Sequence, residues 1–494
     1  MSETIKALTE AVRGRVINAS DSDYDDARAV YNAMHDRKPR AVIQCMDSAD
    51  VMAAVAAARD GGLDLAIRGG GHSVPGFGTV DDGLVIDLSP MKNVWVDPLK
   101  KVVLVGGGAT WGDVDHATYP FGLAAPGGII STTGVGGLTL GGGIGYLTRG
   151  VGLSIDNLLS ADVVLADGRQ VTASDYQNED LFWALRGGGG NFGVVTSFEF
   201  QLHEVGDIVG GPMFYEFDDA AAVLECYREF IAVAPEQLGC FFGWQIAPPL
   251  PFIPEDRVGD LFCVLVTCWN GPHEEAEQVL RPLRDVAEVK AELVEVMPFP
   301  ALQSAFDDMV PKGMQNYWKA DFATELTDAA IAAHVEHGKR TPNVHSSMHL
   351  HPINGAAQRV GANETAFGHR DKSFAPVIVG IWPDPADNEA NTKWVRDYYA
   401  AIHPHSGSAG GYVNFMSGDD AHRAAANYGA NYERLSAVKA AYDPENLFHV
   451  NQNIAPASGG ERDDPNPAFT QFPAVPARVR HASEGAAFFQ PYNN

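Results

Sequence analysis

Short apolar runs separated by glycine-rich loops make up the first 205 residues. The apolar positions predict a helix with an alanine-rich face over Ser48–Asp60 and a half-buried strand over Val194–Phe200. Asp167-Gly168 is a dipeptide favoured in tight turns, so the apolar runs on either side of it predict a β-hairpin. Strands are predicted at Arg40–Cys45, Leu63–Arg68, Leu84–Leu88 and Val102–Val105, and the hairpin strands at Ala161–Ala166 and Gln170–Thr172. This pattern predicts an α+β domain.

The pattern changes between residues 206 and 430, where glycine becomes rarer and aromatic residues, proline and histidine become more frequent. Strand-like runs alternate there with amphipathic helices, which predicts a second α+β domain. The clearest runs are the strands Leu261–Cys268 and Val377–Trp382 and the helices Ala220–Ala234 and Glu274–Ala287. A further helix is predicted after Asn431. Residues 455–494 are rich in proline, alanine and polar side chains, so we expect them to wrap the surface or to be partly mobile.

Charge and cysteine content narrow the class of protein. The 494 residues include 63 acidic and 35 basic side chains, a formal net charge of −28. Phosphate backbones and anionic lipids repel such a surface, so neither nucleic-acid binding nor membrane binding is expected. The five cysteines have no CxxC spacing and favour neither a zinc site nor a disulfide scaffold. The N-terminus lacks the apolar segment of a signal peptide, and we expect a cytoplasmic monomer or homodimer.

Glycine is the most informative residue type. Of the 52 glycines, about half lie between Gly69 and Gly193, where they would let backbone N–H groups approach a large anionic cofactor closely. Neither a P-loop nor the nucleophile elbow of α/β-hydrolases is present. The run Gly106–Gly112 resembles a dinucleotide-binding fingerprint, but its last glycine comes one position late.

Four ordered motifs together carry a family resemblance. They are Arg68-Gly69-Gly70-Gly71-His72-Ser73, the glycine-rich run Gly134–Tyr146, the run Leu185–Gly193 and the C-terminal run Tyr442–Ile454. This ensemble resembles the FAD-linked oxidases with the p-cresol-methylhydroxylase-type fold, within the vanillyl-alcohol-oxidase superfamily, and specifically their berberine-bridge-enzyme-like branch. The resemblance implies a two-subdomain FAD-binding domain over residues 1–205. It further implies a substrate-binding domain with an antiparallel sheet and flanking helices over 206–430, and a segment returning to the FAD domain over 431–494.

The resemblance also implies how FAD is held. In the family, the histidine of the first motif is bonded to the flavin 8α-methyl group, and His72 occupies that position. Many members add a second bond through a cysteine, but the corresponding residue here is Ile130, so we predict attachment through His72 only. Thr133 resembles the residue that admits O₂. The residues implied in cofactor binding are Arg68, Gly69, Gly70, Gly71, His72, Ser73, Thr133, Gly134, Gly137, Gly141, Gly142, Gly143, Gly145, Tyr146, Asn157, Gly193, Val195, Asn451 and Asn453.

The proton acceptor is less well defined. Family members have a Tyr-x-Asn-Tyr-like segment at the substrate, and here it reads Tyr412-Val413-Asn414-Phe415, without the second phenol. Interpreted as a strand, this segment places Tyr412 and Asn414 on one face. Tyr317 and Lys319 are further catalytic candidates, and Lys319 would lower the pKa of a nearby phenol. The apolar run Val377–Ile381 offers no acid.

Three histidines come close together in the second domain, at His345, His349 and His351. Their spacing is compatible with a metal site, but no acidic partner accompanies them, and we predict that the protein has no metal. On a strand, His349 and His351 would share one face, where they would either line the substrate pocket or serve a structural role.

These features favour a flavin-dependent oxidase. It would pass a hydride from a small alcohol, sugar or amine to covalently bound FAD and then reduce O₂ to H₂O₂. Its partners would be the small-molecule substrate and O₂. The alternatives are a flavin-dependent dehydrogenase that uses another acceptor and a non-catalytic flavin-binding protein on the same scaffold.

Overall fold

The computed structural model describes residues 3–458, apart from the side chains of residues 420–422. The N-terminal part forms a four-stranded sheet in which β1 runs antiparallel to β2, while β2 and β3 run parallel to β4. These strands are β1 (Arg15–Ile17), β2 (Ala41–Gln44), β3 (Leu65–Arg68) and β4 (Leu84–Asp87). The helices α1 (Glu3–Ala11) and α3 (Ser48–Gly61) cover its apolar face, and the short α2 (Tyr24–Arg28) follows β1.

The helix α3 begins and ends at residues suited to those positions. The Asp47 side chain accepts hydrogen bonds from the backbone N–H groups of Ala49 and Asp50, and Gly62 ends the helix with φ +58°. The predicted helix and the three predicted strands of this sheet, β2, β3 and β4, are confirmed to within a few residues.

A five-stranded antiparallel sheet follows, with the strand order β5-β6-β10-β8-β9. Its members are β5 (Val94–Asp97), β6 (Val102–Gly106), β8 (Leu158–Val164), β9 (Gln170–Ser174) and β10 (Val194–Gln201). The predicted hairpin is confirmed, and Gly168 takes φ +88° in its turn. Around the sheet lie α4 (Trp111–Thr118), the strand pair β7 (Leu123–Ala124) and β11 (His203–Glu204), α5 (Val135–Gly141), α6 (Thr148–Val151) and α7 (Glu179–Leu185).

An eight-stranded antiparallel sheet spans residues 207–382, in the order β15-β12-β14-β13-β18-β19-β17 with β16 beside β12. Its strands are β12 (Asp207–Glu216), β13 (Leu238–Ile246), β14 (Leu261–Trp269), β15 (Val289–Glu292), β16 (Glu295–Pro298), β17 (Gln315–Ala320), β18 (Ser347–Pro352) and β19 (Phe374–Trp382). On one face it packs against α8 (Ala220–Val233), α9 (Ala276–Asp285), α11 (Asp328–Gly338) and α13 (Asn388–Ile402). The helices α10 (Phe299–Ser304) and α12 (Ala356–Arg359) complete this part. The fold class, α+β with an antiparallel substrate-side sheet and flanking helices, is confirmed.

The chain then returns to the first domain. The helices α14 (Ala424–Tyr428) and α15 (Tyr432–Tyr442) and the residue Ile454 pack into the core around the five-stranded sheet. A fully buried ion pair, Lys439 with Asp443 at 2.6 Å, holds the turn after α15, because Asp443 also accepts hydrogen bonds from the N–H groups of Leu447 and Phe448. The C-terminal motif is therefore fixed to the part of the molecule built around the five-stranded sheet.

One local prediction is wrong. Residues 413–415 form a 3-10 turn and not a strand, yet the Tyr412 hydroxyl and the Asn414 amide still meet, at 2.9 Å. The limits 1–205, 206–430 and 431–494 stay predictions, and most of the surface segment predicted for 455–494 lies outside the described residues. Among the residues described, none of the helices is long and apolar enough to cross a membrane.

Candidate active site

The first glycine motif forms a loop that is pressed against the second glycine-rich run. It leaves β3 at Arg68, whose guanidinium pairs with the buried Asp87 carboxylate at 3.0 Å. A Cβ on Gly70 would lie 2.4 Å from the backbone nitrogen of Gly134, and Gly71 has φ +72°. Larger residues would therefore push the two loops apart. The Ser73 hydroxyl shapes the following turn by accepting a hydrogen bond from the N–H of Phe77.

His72 is held by two contacts at the end of this loop. Its ring stacks on Tyr31 with centroids 4.3 Å apart, and Nε2 lies 3.1 Å from the Thr132 hydroxyl oxygen. Loss of hydration lowers the pKa of His72 to about 4. The imidazole is therefore neutral at pH 7 and keeps one nitrogen lone pair, as a nucleophilic nitrogen requires.

The turn that carries Thr132 also contains Ile130 and Thr133. Thr133 donates its N–H to the Ile130 carbonyl and accepts a hydrogen bond from the N–H of Trp111, at 3.3 and 3.0 Å. The backbone here is thus fixed, while the side chains of Ile130 and Thr133 stay half-exposed. Both residues belong to the same turn as Thr132, whose hydroxyl contacts His72, and their predicted roles as a second attachment position and an oxygen passage stay predictions.

Most glycines of the second glycine-rich run allow close packing within the protein, whereas the sequence predicted that they contact the cofactor. A Cβ on Gly143 would lie 2.0 Å from the Ser154 hydroxyl, one on Gly145 2.0 Å from the Gly127 carbonyl, and one on Gly141 2.2 Å from the Asn414 side chain. Gly142 and Gly193 have positive φ angles, +138° and +158°. Gly137 differs, because a Cβ there would meet open space. The structure thus explains these glycines largely by contacts within the protein.

Several buried polar atoms fit a large polar ligand between these loops and the C-terminal motif. Among the described residues, no hydrogen-bond partner is found for Arg68 Nη1, the Tyr146 hydroxyl, Asn451 Oδ1 or Asn453 Oδ1. Unpaired buried polar groups are unfavourable, and these four belong to the glycine motifs or the C-terminal motif implied to hold FAD, so the residues present fit that cofactor. The Asn157 amide differs, because it donates to the carbonyls of Val151 and Leu153 and contacts His203. Val195 lies buried in β10.

Tyr412 lies under the second glycine-rich run. Its phenol oxygen accepts hydrogen bonds from the Gly143 N–H at 2.7 Å and from the Asn414 amide at 2.9 Å. Burial nevertheless raises the pKa of Tyr412 to about 12, with those two donors opposing the shift. The phenol is therefore protonated at neutral pH and available as a hydrogen-bond donor.

Tyr317 and Lys319 do not join this group. Both side chains lie on the helix-covered side of the large sheet, where Tyr317 contacts the apolar core and its hydroxyl donates to Asp419 at 2.6 Å. Arg396 of α13 donates to the same hydroxyl, and Lys319 pairs with Asp419 at 3.0 Å. Burial, together with this hydrogen bond to Asp419, raises the pKa of Tyr317. Because side chains alternate along β17, these candidates face away from Tyr412, which corrects the sequence-based assignment.

The opposite side of the sheet carries residues that the sequence analysis missed. Asn316 and Trp318 of β17 lie there, beside Val379 and Ile381 of β19 in the strand register. Asn32 links Asn316 to the residue that follows the first glycine motif, because its amide donates to both the Asn316 and Val74 carbonyls. Alternation along β17 was the signal that could have found these residues, but only the structure assigns each set to a face.

His349 and His351 share that side, as the sequence predicted for a strand. They lie opposite Val377 and Ala375 of β19. The ring centroids of Phe241 lie 5.4 Å from His349 and 5.0 Å from His351. His345 lies elsewhere, with Nδ1 3.2 Å from the Met309 carbonyl.

Sequence models of two domains match the chain. A model described as an FAD binding domain matches residues 39–174, and one described as berberine and berberine like matches residues 411–455. The uncharacterized FAD-linked oxidoreductase YgaK of Bacillus subtilis is 31% identical over 90% of this chain and 97% of its own. The (R)-6-hydroxynicotine oxidase of Paenarthrobacter nicotinovorans is 30% identical over 90% and 97%.

Solved structures agree with these matches. The 6-hydroxy-D-nicotine oxidase from Arthrobacter nicotinovorans has a TM-score of 0.81 with 28% identity, over 91% of this chain and 99% of its own. A glucooligosaccharide oxidase from Acremonium strictum, described with a 6-S-cysteinyl, 8α-N1-histidyl FAD, has a TM-score of 0.80 with 25% identity, over 92% and 100%.

Proposed function

The chain belongs to the berberine-bridge-enzyme-like FAD-linked oxidoreductases, and from that premise we propose that it is an oxidase of a small alcohol, sugar or amine. Bound FAD supplies a hydride acceptor for a CH–OH or CH–NH carbon. The relatives include a 6-hydroxynicotine oxidase and a glucooligosaccharide oxidase, which supports a small-molecule substrate. O₂ would be the final acceptor and H₂O₂ the product.

His72 would attach FAD covalently and alone. The observation that carries the proposal is the neutral imidazole of His72, stacked on Tyr31 and placed against the Thr132 turn, where the first glycine motif meets the second. The residue in the cysteine position of doubly attached relatives is Ile130, which offers no nucleophile. Arg68, Tyr146, Asn451 and Asn453 would contribute polar contacts to the cofactor.

Tyr412 would orient the substrate heteroatom. Its oxygen already accepts two N–H groups, so its own proton is free to donate toward the substrate. A phenol with a pKa of about 12 is a poor base at neutral pH. This favours substrates that need no strong base, such as an amine that arrives neutral, over an ordinary alcohol. With an alcohol, the rate of flavin reduction should rise with pH toward the pKa of Tyr412. With an amine, it should rise through the pKa of the substrate.

The decisive experiment separates attachment from turnover. Acid-precipitated protein should stay yellow and weigh one FAD more than the polypeptide, whereas precipitated His72→Ala should be colourless. His116→Ala, an exposed histidine on α4, is the matched control and should stay yellow. Anaerobic addition of alcohols, sugars and amines should bleach the flavin with one class, and air should then release H₂O₂. A colourless wild-type precipitate would refute the attachment, and a flavin that no substrate class bleaches would favour the non-catalytic alternative.

Rapid mixing of the reduced protein with air distinguishes oxidase from dehydrogenase. An oxidase should regain its yellow colour within seconds and produce one H₂O₂ per flavin. Persistent bleaching in air, reversed by an artificial electron acceptor, would favour a dehydrogenase.

A further inference from the structure

Three buried polar atoms without hydrogen-bond partners lie on the side of the large sheet that faces the glycine motifs. Within the described residues, Asn316 Oδ1, Trp318 Nε1 and His351 Nε2 have no partner, although Asn316 and His351 are only 1% and 3% exposed. Leaving such a group unpaired costs about 1–3 kcal/mol. The three atoms are one hydrogen-bond acceptor, one donor and one imidazole nitrogen on the same face of the sheet. They point to a ligand that forms the missing hydrogen bonds.

Phe415 connects two of these residues, Trp318 and His351, to Tyr412. Its ring centroid lies 6.3 Å from Trp318, 5.7 Å from His351 and 4.8 Å from Tyr412. A molecule placed against Phe415 is therefore within reach of the polar edges of Trp318 and His351. The same ring packs on the apolar cluster that includes Val379 and Ile381, so the wall is aromatic and aliphatic with few polar atoms.

This wall carries no charged side chain among the residues that β13, β17, β18 and β19 turn toward it. Burial lowers the pKa of His349 to about 4 and holds that of His351 well below its usual value, so both rings are neutral at pH 7. Outside this set, the Asp307 carboxylate accepts hydrogen bonds from the Ser131 backbone and hydroxyl, and Lys312 is exposed. An ion against the wall would lose its hydration without gaining a counter-charge.

We propose that the substrate is an uncharged aromatic compound with a hydrogen-bond acceptor and a donor on its ring edge. Trp318 Nε1 donates a hydrogen bond to the acceptor on the ligand, and Asn316 Oδ1 accepts one from the donor. His351 Nε2 donates or accepts a further hydrogen bond. The inference rests on the proposed function, because it names the substrate class of the same site. A sugar fits less well, since most of its hydroxyl groups would lose water against apolar side chains. An amine substrate would bind in its neutral form.

Equilibrium binding to the flavin-loaded protein tests this without turnover. The probes are 4-hydroxybenzamide, 4-hydroxybenzoate and 4-hydroxybenzamidine, which share one ring and carry no charge, a negative charge and a positive charge, together with cellobiose. Calorimetry and the shift of the flavin spectrum should both detect the neutral amide. The two ions and cellobiose should bind at least tenfold more weakly.

Variants assign the contacts. Trp318→Phe keeps a ring and removes the N–H, and should weaken amide binding roughly fivefold to thirtyfold, the effect of one lost hydrogen bond. His351→Phe should do the same if Trp318→Phe fails to fold. Trp394→Phe is the control, because Trp394 of α13 also has a buried Nε1 without a partner among the described residues but packs on the helix-covered side. It should bind like the wild type.

Three results would overturn the inference. They are equal or tighter binding of either ion or of cellobiose, unchanged amide affinity in both folded variants, and failure of those variants to incorporate flavin, which would assign the atoms to the cofactor. Failure of the proposed function is distinguishable, because no alcohol, sugar or amine would then bleach the flavin of the wild type, whatever the binding of the four probes.

Discussion

Arg149 joins the glycine-rich part of the chain to the part built on the eight-stranded sheet, and replacing it with methionine should destabilise the protein strongly. The residue lies in α6 and is 2% exposed. Its guanidinium donates to the carbonyls of Ile231, Ala234, Pro235 and Leu238 and to the Asn354 side chain, over 2.6–3.0 Å. Those carbonyls lie at and just after the C-terminus of α8, where a positive charge is favourable.

The magnitude follows from these five hydrogen bonds. Methionine fills similar space but leaves four carbonyls without this donor, at about 1–3 kcal/mol each when they stay buried. The wild type spends several kcal/mol of free energy on dehydrating the guanidinium when it is buried. Methionine avoids this cost, which offsets part of the loss. The expected net loss of unfolding free energy is about 3–5 kcal/mol. Arg149→Lys keeps the charge but not the planar fork, and should lose about half as much.

Denaturant unfolding and hydrogen exchange test this reasoning together. The Arg149→Met protein should unfold at lower urea concentration, and the amides around residues 231–238 should exchange faster than those of β3. Arg359→Met is the control, because that side chain is 61% exposed and pairs with Glu236 at the surface, an interaction worth about 0–1 kcal/mol. An Arg149→Met protein within about 1 kcal/mol of the wild type would refute the role assigned to these bonds.

Three further predictions concern other parts of the molecule. Asp443→Asn leaves the Lys439 ammonium buried without its carboxylate and should lower the unfolding free energy by about 3–5 kcal/mol in urea titrations, whereas the surface variant Glu445→Gln should not. Thr133→Leu should slow the reoxidation of the flavin by O₂ in stopped-flow experiments while anaerobic reduction is unchanged, and equal reoxidation rates would exclude Thr133. Burial raises the pKa of Asp115 to about 7, against about 3.9 when unfolded, so the folded state holds a proton that the unfolded state releases. Stability should therefore fall as pH rises from 4 to 7, by up to about 4 kcal/mol, and parallel pH profiles for wild type and Asp115→Asn would contradict this.

Local chemistry explains why much of the fold could be predicted. Helix α3 needs only its apolar face, the Asp47 cap and Gly62, all within sixteen residues of one another. The hairpin around Gly168 likewise depends on adjacent residues. The segment after Tyr412 was predicted as a strand because alternation over four residues does not distinguish a strand from a 3-10 turn, and the contacts of Tyr412 with the second glycine-rich run decide its conformation.

The sequence by itself determined the family, the cofactor class and the candidate attachment residue, because ordered motifs such as Arg68–Ser73 and Tyr442–Ile454 are contiguous in the chain. Only the tertiary structure decided which side of the large sheet each candidate faces. Tyr317 and Trp318 are neighbours in sequence, yet one contacts the helices and the other lies toward Phe415. The physical reason is that a pleated strand alternates its side chains between two faces, and only packing against other elements makes one face the core and the other the site.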